Sequence, residues 1–174
     1  MSFAIEKREV MYQGRAFDVQ RLSLRLPNGK LRPYDFVRHL PSITVLPVTA
    51  DGKILFVRQY RVGLDGMLLE LPAGSLDEGE DPLDGARREL REETGLDAAE
   101  LVKLGEAYLA PGYCDEYMSF FLARQLTPAP LEQDEDEFLT VEAYPIAETL
   151  AMARRGEIHD SKTLAALFLA EKML

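Results

Sequence analysis

The chain has no tryptophan and a single cysteine, Cys114, among its 174 residues. One cysteine excludes an intramolecular disulfide and fits a reducing compartment. There is no excess of positive charge either. Twenty Lys and Arg stand against 30 Asp and Glu, a formal net charge of −10. That argues against a nucleic-acid partner, because phosphate backbones are held by clustered Lys and Arg. A phosphorylated small molecule would have to meet such a protein through bridging cations. No apolar run approaches the roughly 20 residues that span a bilayer, and "MSFAIEKREV" at the N-terminus lacks the basic-then-apolar layout of a signal peptide. A cytoplasmic protein with no membrane partner is the expectation. Internal repeats and low-complexity segments are also missing. What remains, 47% hydrophobic and 29% charged residues, describes a folded chain with a real core, one domain with a small appendage.

The first forty residues read as β-structure. In "AFDVQRLSLRLPNGKLRPYDFVRH", Leu22, Leu24 and Leu26 alternate with Ser23 and Arg25, Pro27-Asn28-Gly29 makes a turn, and a second strand begins at Leu31. So small a sheet buries too little to stand alone and must pack on the rest of the chain or on a second copy. "SITVLPVTADGKILFVRQYR" gives two β-branched runs joined at Asp51-Gly52, a hairpin signal. Further strands are predicted over "MLLELP", "EYMSFFLARQL" and "FLTVEAYP". Helices are predicted over "IAETLAMARRGEI", ended by Gly156, and "SKTLAALFLAEKML", capped by Asp160 or Ser161.

The stretch "LPAGSLDEGEDPLDGARRELREETGL", residues 71 to 96, is dense in acid. Asp81 is a good N-cap, Pro82 suits a first turn and Gly95 stops a helix, which predicts a helix over about 82–94. Leu83, Ala86 and Leu90 recur at three- and four-residue spacing and define its buried side. With Glu89 at zero, Glu93 lies near +40° and Glu92 near −60° on a wheel of about 100° per residue, with Gly85 on the same flank one turn earlier. Like charges one turn apart cost a helix roughly 0.2–0.5 kcal/mol per pair. A divalent cation in the cluster would account for them, with Gly85 leaving room for something to approach.

Gly74, Glu80, Arg88-Glu89, Leu90, Glu92-Glu93, Gly95 and Leu96 stand at the spacing of the Nudix box. The chain thus resembles the Nudix hydrolases, and the strands before the box and helices after it suit that family. The resemblance implies an α/β fold, a Nudix α/β/α sandwich with a mixed sheet and a Nudix loop–helix–loop, here with a small N-terminal antiparallel β-sheet. Residues 1–40 would form that sheet region and 41–174 the Nudix hydrolase domain. It also implies metal-dependent hydrolysis of a nucleoside diphosphate linked to another group. Oxygen-only ligands suit Mg²⁺ or Mn²⁺, two or more ions per site. The metal set would be Glu89, Glu92, Glu93, the Ala73 carbonyl and Glu137. The catalytic group would be Glu92, Arg88 and, from the acidic loop "LEQDEDEF", Glu135 and Glu137. One of these two would act as base and the other on the metal. Arg88 would hold the loop by a salt bridge to Glu80.

Outside the box, "FVRQYR", "LLELPAG", "APGYCDE" and "HDSKTLAAL" resemble the ADP-ribose, or ADP-sugar, pyrophosphatases. The reaction implied is cleavage of ADP-ribose or a related ADP-sugar to AMP and a sugar phosphate. Another nucleotide sugar such as GDP-mannose, a dinucleotide, or a non-catalytic sensing module are the alternatives. Arg61 falls where the family contacts phosphate, with Arg58 and Arg38 as further cations beside His39. Pro111 falls where the subfamily carries a proline. Without tryptophan, Phe17 and Tyr34 are the aromatic platforms for a base, and Tyr113 and Tyr117 could line the ribose end. In this subfamily the N-terminal sheet exchanges between two subunits, so a homodimer is expected.

Overall fold

The structure is a computed structural model and describes residues 2–132 and 138–174. Along the chain run β1 (Ala4–Gln13), β2 (Phe17–Arg25), β3 (Leu31–His39), β4 (Ser42–Pro47), β5 (Lys53–Arg61), β6 (Gly66–Glu70) and β7 (Ala73–Ser75). Then come α1 (Pro82–Thr94), β8 (Leu96–Tyr108), β9 (Tyr117–Pro128), β10 (Leu139–Pro145), α2 (Ile146–Arg155) and α3 (Ser161–Ala170). The chain divides into two compact units, residues 1–41 with 108–117, and residues 42–107 with 118–174.

The first unit is a three-stranded antiparallel sheet in the order β1-β2-β3. The predicted hairpin forms in register from Phe17↔His39 to Arg25↔Leu31. Its turn is closed by Leu26 N–H to Lys30 O at 2.9 Å. β1 is exposed along its whole length, and shifts in register at Ile5/Lys7 and Val10/Tyr12 mark bulges. The 108–117 segment docks on β3: Val37 N–H donates to Tyr113 O at 2.7 Å, and Cys114 bridges Val37 in parallel.

The second unit holds two sheets, β10-β5-β6 and β7-β4-β9-β8. β4 runs parallel to β9 and antiparallel to β7, so the latter sheet is mixed. All six residues of β4 are buried, which means both faces are covered. Ile43 and Val45 pack with Ala86 and Leu90 of α1. Alternation turns Thr44 and Leu46 the other way, and α3 is a further element in contact with β4. This layering agrees with the α/β/α arrangement that the sequence implies.

The expected hairpin between β4 and β5 does not form. The turn itself closes, with Gly52 N–H to Thr49 O at 3.0 Å and a single bridge Val48↔Ile54. Beyond it the two strands part into different sheets, because β4 finds partners in β7 and β9 while β5 pairs with β6 and β10. The long β8 was not anticipated, since "LDAAELVKLGEAY" shows no sustained alternation of apolar and polar residues. Among the described residues no helix is long and apolar enough to cross a membrane.

Candidate active site

α1 begins and ends where its caps dictate. The Asp81 side chain accepts from Leu83 N–H at 2.8 Å, Pro82 opens the first turn, and Gly95 takes the left-handed conformation at φ 73° that a helix C-terminus favours. The buried side of the helix keeps Ala86 and Leu90 as predicted but not Leu83. It comprises Gly85, Ala86, Glu89, Leu90 and Glu93, whereas Leu83 is 41% exposed. Gly85 therefore does not open onto a ligand. Leu76 and the Glu80 carboxylate pack against it, and a Cβ there would overlap Leu76 Cδ2.

Glu89 and Glu93 are 7% and 2% exposed. β7 runs alongside the helix and holds them. Ala73 N–H donates to Glu93 Oε2 at 3.0 Å. A Cβ on Gly74 would overlap the Glu89 carboxylate, so with glycine here strand and carboxylate come this close with neither displaced. Arg88 spans the cluster. Its Nε and Nη2 each lie 2.9 Å from a Glu80 oxygen, Nη1 donates to Glu89 Oε1 at 2.7 Å and to Glu92 Oε2 at 3.0 Å, and Nη2 also reaches Ser75 O at 3.1 Å. These bonds hold the Glu80 carboxyl below its usual range despite partial burial, and they raise the Arg88 pKa further. The loop before the helix is thereby tied to its middle.

The donors are carboxylates alone, the set a hard divalent cation prefers. In their present rotamers Glu89 and Glu92 both point to Arg88 Nη1. Among the described residues no three acidic, His or Cys side chains converge closely enough to hold an ion as they stand. The fit is thus one of chemistry and burial. Beside Glu92 and Glu93 lies a cleft of about 420 Å³ whose other wall is Pro130, Leu131, Leu139 and Val141. Glu135 and Glu137 lie outside the described residues.

Arg61 and Arg58 part company. Arg61 Nε donates to the fully buried Glu70 at 2.7 Å. Burial pulls the Arg61 pKa down, but the Glu70 hydrogen bond and the fields of Glu70, Glu93 and Asp160 more than offset it. Arg58 forms a fork on Glu142, Nε to Oε1 and Nη2 to Oε2 at 3.0 Å, across the β5–β10 pair. Arg38 and Phe17 line a cleft of about 440 Å³ within the first unit, with Arg15, Asp18, His39 and Asp115. There His39 N–H donates to Asp115 Oδ1 at 2.8 Å, which draws the segment carrying Pro111 to the end of β3. Pro111 itself is exposed. Tyr34 and Tyr113 are 46% and 61% exposed, and Tyr108 packs on Tyr117 with ring centroids 4.7 Å apart and planes tilted by 57°.

One charged network escaped the sequence reading. Lys162 bridges Glu70 and Asp160, and Asp160 in turn caps α3 by accepting from Thr163 N–H at 3.0 Å. "LLELP" and "HDSKT" carry these residues, but their partners lie 92 positions apart, beyond any local pattern.

A loop–helix–loop with buried, glycine-approached carboxylates beside a mixed sheet defines a class of site suited to phosphate chemistry through a cation. The NUDIX domain profile matches residues 38–167, and the chain belongs to the NUDIX domain family. It is 38% identical over 162 residues to a protein of Bacillus subtilis named ADP-ribose pyrophosphatase, covering 92% of this chain and 88% of that one. It is 40% identical over 163 residues to a GDP-mannose pyrophosphatase of Salmonella paratyphi B, covering 87% and 82%. Among solved structures it is similar to one described as an ADP compounds hydrolase, with a TM-score of 0.87 and 30% identity over 100% of this chain and 95% of that one.

Proposed function

We propose that the chain hydrolyses the diphosphate bond of ADP-ribose or a related ADP-sugar, releasing AMP and a sugar phosphate. The observation that carries this reading is the burial of Glu89 and Glu93 at 7% and 2% exposure, one turn apart, with the Glu89 carboxylate against Gly74 of β7. Two neighbouring carboxylates of this kind form the oxygen-only donor set that a hard divalent cation takes. The names of the Bacillus subtilis relative and of the similar solved structure support the adenine diphosphate substrate.

Glu89, Glu92, Glu93, the Ala73 carbonyl and Glu137 would hold Mg²⁺, or Mn²⁺ in its place, with two or more ions per site. When bound, the metal would neutralise the diphosphate and lower the pKa of the attacking water. The chain's own residues do the rest. Arg88 keeps Glu80, Glu89 and Glu92 in register. Arg61 donates to the diphosphate oxygens with its terminal nitrogens, and Arg58 is a second cation whose Nη1 is not spent on Glu142. Glu135 or Glu137 takes the proton from water. Arg38, Phe17 and Pro111 contribute substrate contacts from the N-terminal region, residues 1–40, and the segment docked on it.

That region would also make a homodimer. β1 exposes Ile5, Val10, Met11 and Tyr12 at 46–62%, surface that a second copy of this chain would cover. The protein would act in the cytoplasm. GDP-mannose is the second reading, favoured by the name of the Salmonella relative. The test is chromatography of products from ADP-ribose with Mg²⁺ and with chelator. AMP that forms only with the metal supports the reading, and no AMP under either condition refutes it.

A further inference from the structure

We infer that Lys162 is a positioning residue for Arg61, acting through Glu70 to keep the arginine's terminal nitrogens available to substrate. The inference rests on the reading of Arg61 as the diphosphate contact.

Four arginines of the second unit meet glutamates, and three of them, Arg58, Arg88 and Arg155, do so with a two-nitrogen fork. Arg88 takes Glu80 with Nε and Nη2, one nitrogen to each oxygen. Arg58 takes Glu142 in the same way. That two-pronged fork is the geometry a guanidinium and a carboxylate favour when nothing intervenes. Arg61 instead reaches Glu70 with Nε alone, at 2.7 Å on Oε1. The other oxygen, Oε2, is taken by Lys162 Nζ. Among the described residues nothing takes the two terminal nitrogens of Arg61, and its side chain is 41% exposed.

Lys162 cannot drift away from this task. It is 9% exposed, and its ammonium is also held by Asp160 Oδ1 at 3.0 Å. Asp160 is fixed in turn, because Oδ2 accepts from Thr163 N–H at 3.0 Å and Oγ1–H at 2.6 Å. Thr163 Oγ1 then accepts from Leu71 N–H at 2.9 Å, which anchors α3 to the residue after Glu70. The two acids and two bases of this network balance, so burying it leaves no net charge. Its effect is geometric: Glu70 grips the stem of Arg61 and is prevented from closing the fork over its tip.

Removal of Lys162 frees Oε2, and Glu70 can then chelate Arg61 as Glu80 chelates Arg88. The fork would then engage one terminal nitrogen of Arg61 with Glu70, leaving the other as its main contact for an anion and making it a poorer ligand. The test compares steady-state kinetics with ADP-ribose and Mg²⁺ for Lys162→Met, Arg61→Ala, their combination, and Lys162→Met with Glu70→Gln, each checked by thermal melting. Lys162→Met should raise KM about tenfold with kcat within about threefold of wild type. It should add nothing to KM once Arg61 is alanine. Glu70→Gln, which offers one acceptor oxygen and cannot close a charged fork, should bring the KM of Lys162→Met back toward wild type. A residue with only a structural role would give additive losses and no rescue, and that result overturns the inference. If Lys162→Met does not fold, Lys162→Gln, with its weaker hold on Oε2, carries the same comparison in wild-type and Arg61→Ala backgrounds. An unchanged KM in Arg61→Ala alone would instead remove Arg61 from the diphosphate, and the inference with it.

Discussion

Ala73 and Glu93, twenty residues apart in sequence, are joined by a hydrogen bond from the backbone N–H of the first to Oε2 of the second at 3.0 Å. The bond fixes the helix against the short strand that precedes its loop.

Replacement of Glu93 by glutamine keeps an acceptor for Ala73 and removes the charge. The expected result is a melting temperature in chelator that falls by no more than a few degrees or rises, as relief of repulsion with Glu89 offsets any loss. Turnover should drop by about two orders of magnitude or more. Added Mg²⁺ should raise the melting temperature of the wild type, as any ligand of the folded state does, and do so less for this variant. Wild-type turnover would take Glu93 out of the metal site.

Gly74→Ala tests the close approach of β7. The new Cβ overlaps the Glu89 carboxylate, so the strand or the glutamate must move. A destabilisation of about 1–3 kcal/mol, typical of overpacking, is expected in urea denaturation, together with weaker metal binding by calorimetry. A variant equal to wild type in both would mean that Glu89 relaxes freely and that the glycine has no part in shaping the site.

The Arg58–Glu142 pair gives a pH signature. Hydrogen bonds from Arg58 first and Tyr144 second lower the Glu142 pKa from its ordinary 4.5. A carboxylate with a depressed folded pKa stabilises the native state fully above its unfolded value and loses that contribution as pH falls through the folded one. The difference in melting temperature between wild type and Arg58→Met should hold steady at neutral pH and shrink below about pH 4.5. A gap independent of pH would assign the loss to packing of the arginine stem.

Glu135→Gln and Glu137→Gln should both lower kcat, and they should part on metal titration. A lost ligand is partly rescued by more Mg²⁺, whereas a lost base is not. Equal and negligible effects would mean that neither carboxylate takes part.

The helix that carries the carboxylates was legible from end to end, because Asp81, Pro82 and Gly95 each have a local physical reason to sit where they do. The mixed α/β fold followed from the box and from the apolar strands around it. Burial within the helix was legible only in part: Ala86 and Leu90 are buried as their spacing predicts, and Leu83 is not. A wheel gives the angle between Glu89 and Leu83 but not which sector the sheet and loop will cover, so Leu83 was placed inside and Gly85 beside a ligand. The parting of β4 and β5 escaped for a similar reason. A turn signal fixes the turn, while pairing is decided by distant strands. Glu70 and Lys162 read as ordinary charges on a strand and a helix, and only the tertiary structure brings them together.

The most direct measurement is kcat/KM for ADP-ribose and for GDP-mannose in parallel, each with Mg²⁺ and with chelator, with products resolved by chromatography. The account predicts AMP and a sugar phosphate from ADP-ribose, a clear preference for it over GDP-mannose, and no product without metal. Preference for GDP-mannose, or cleavage that survives the chelator, would contradict it.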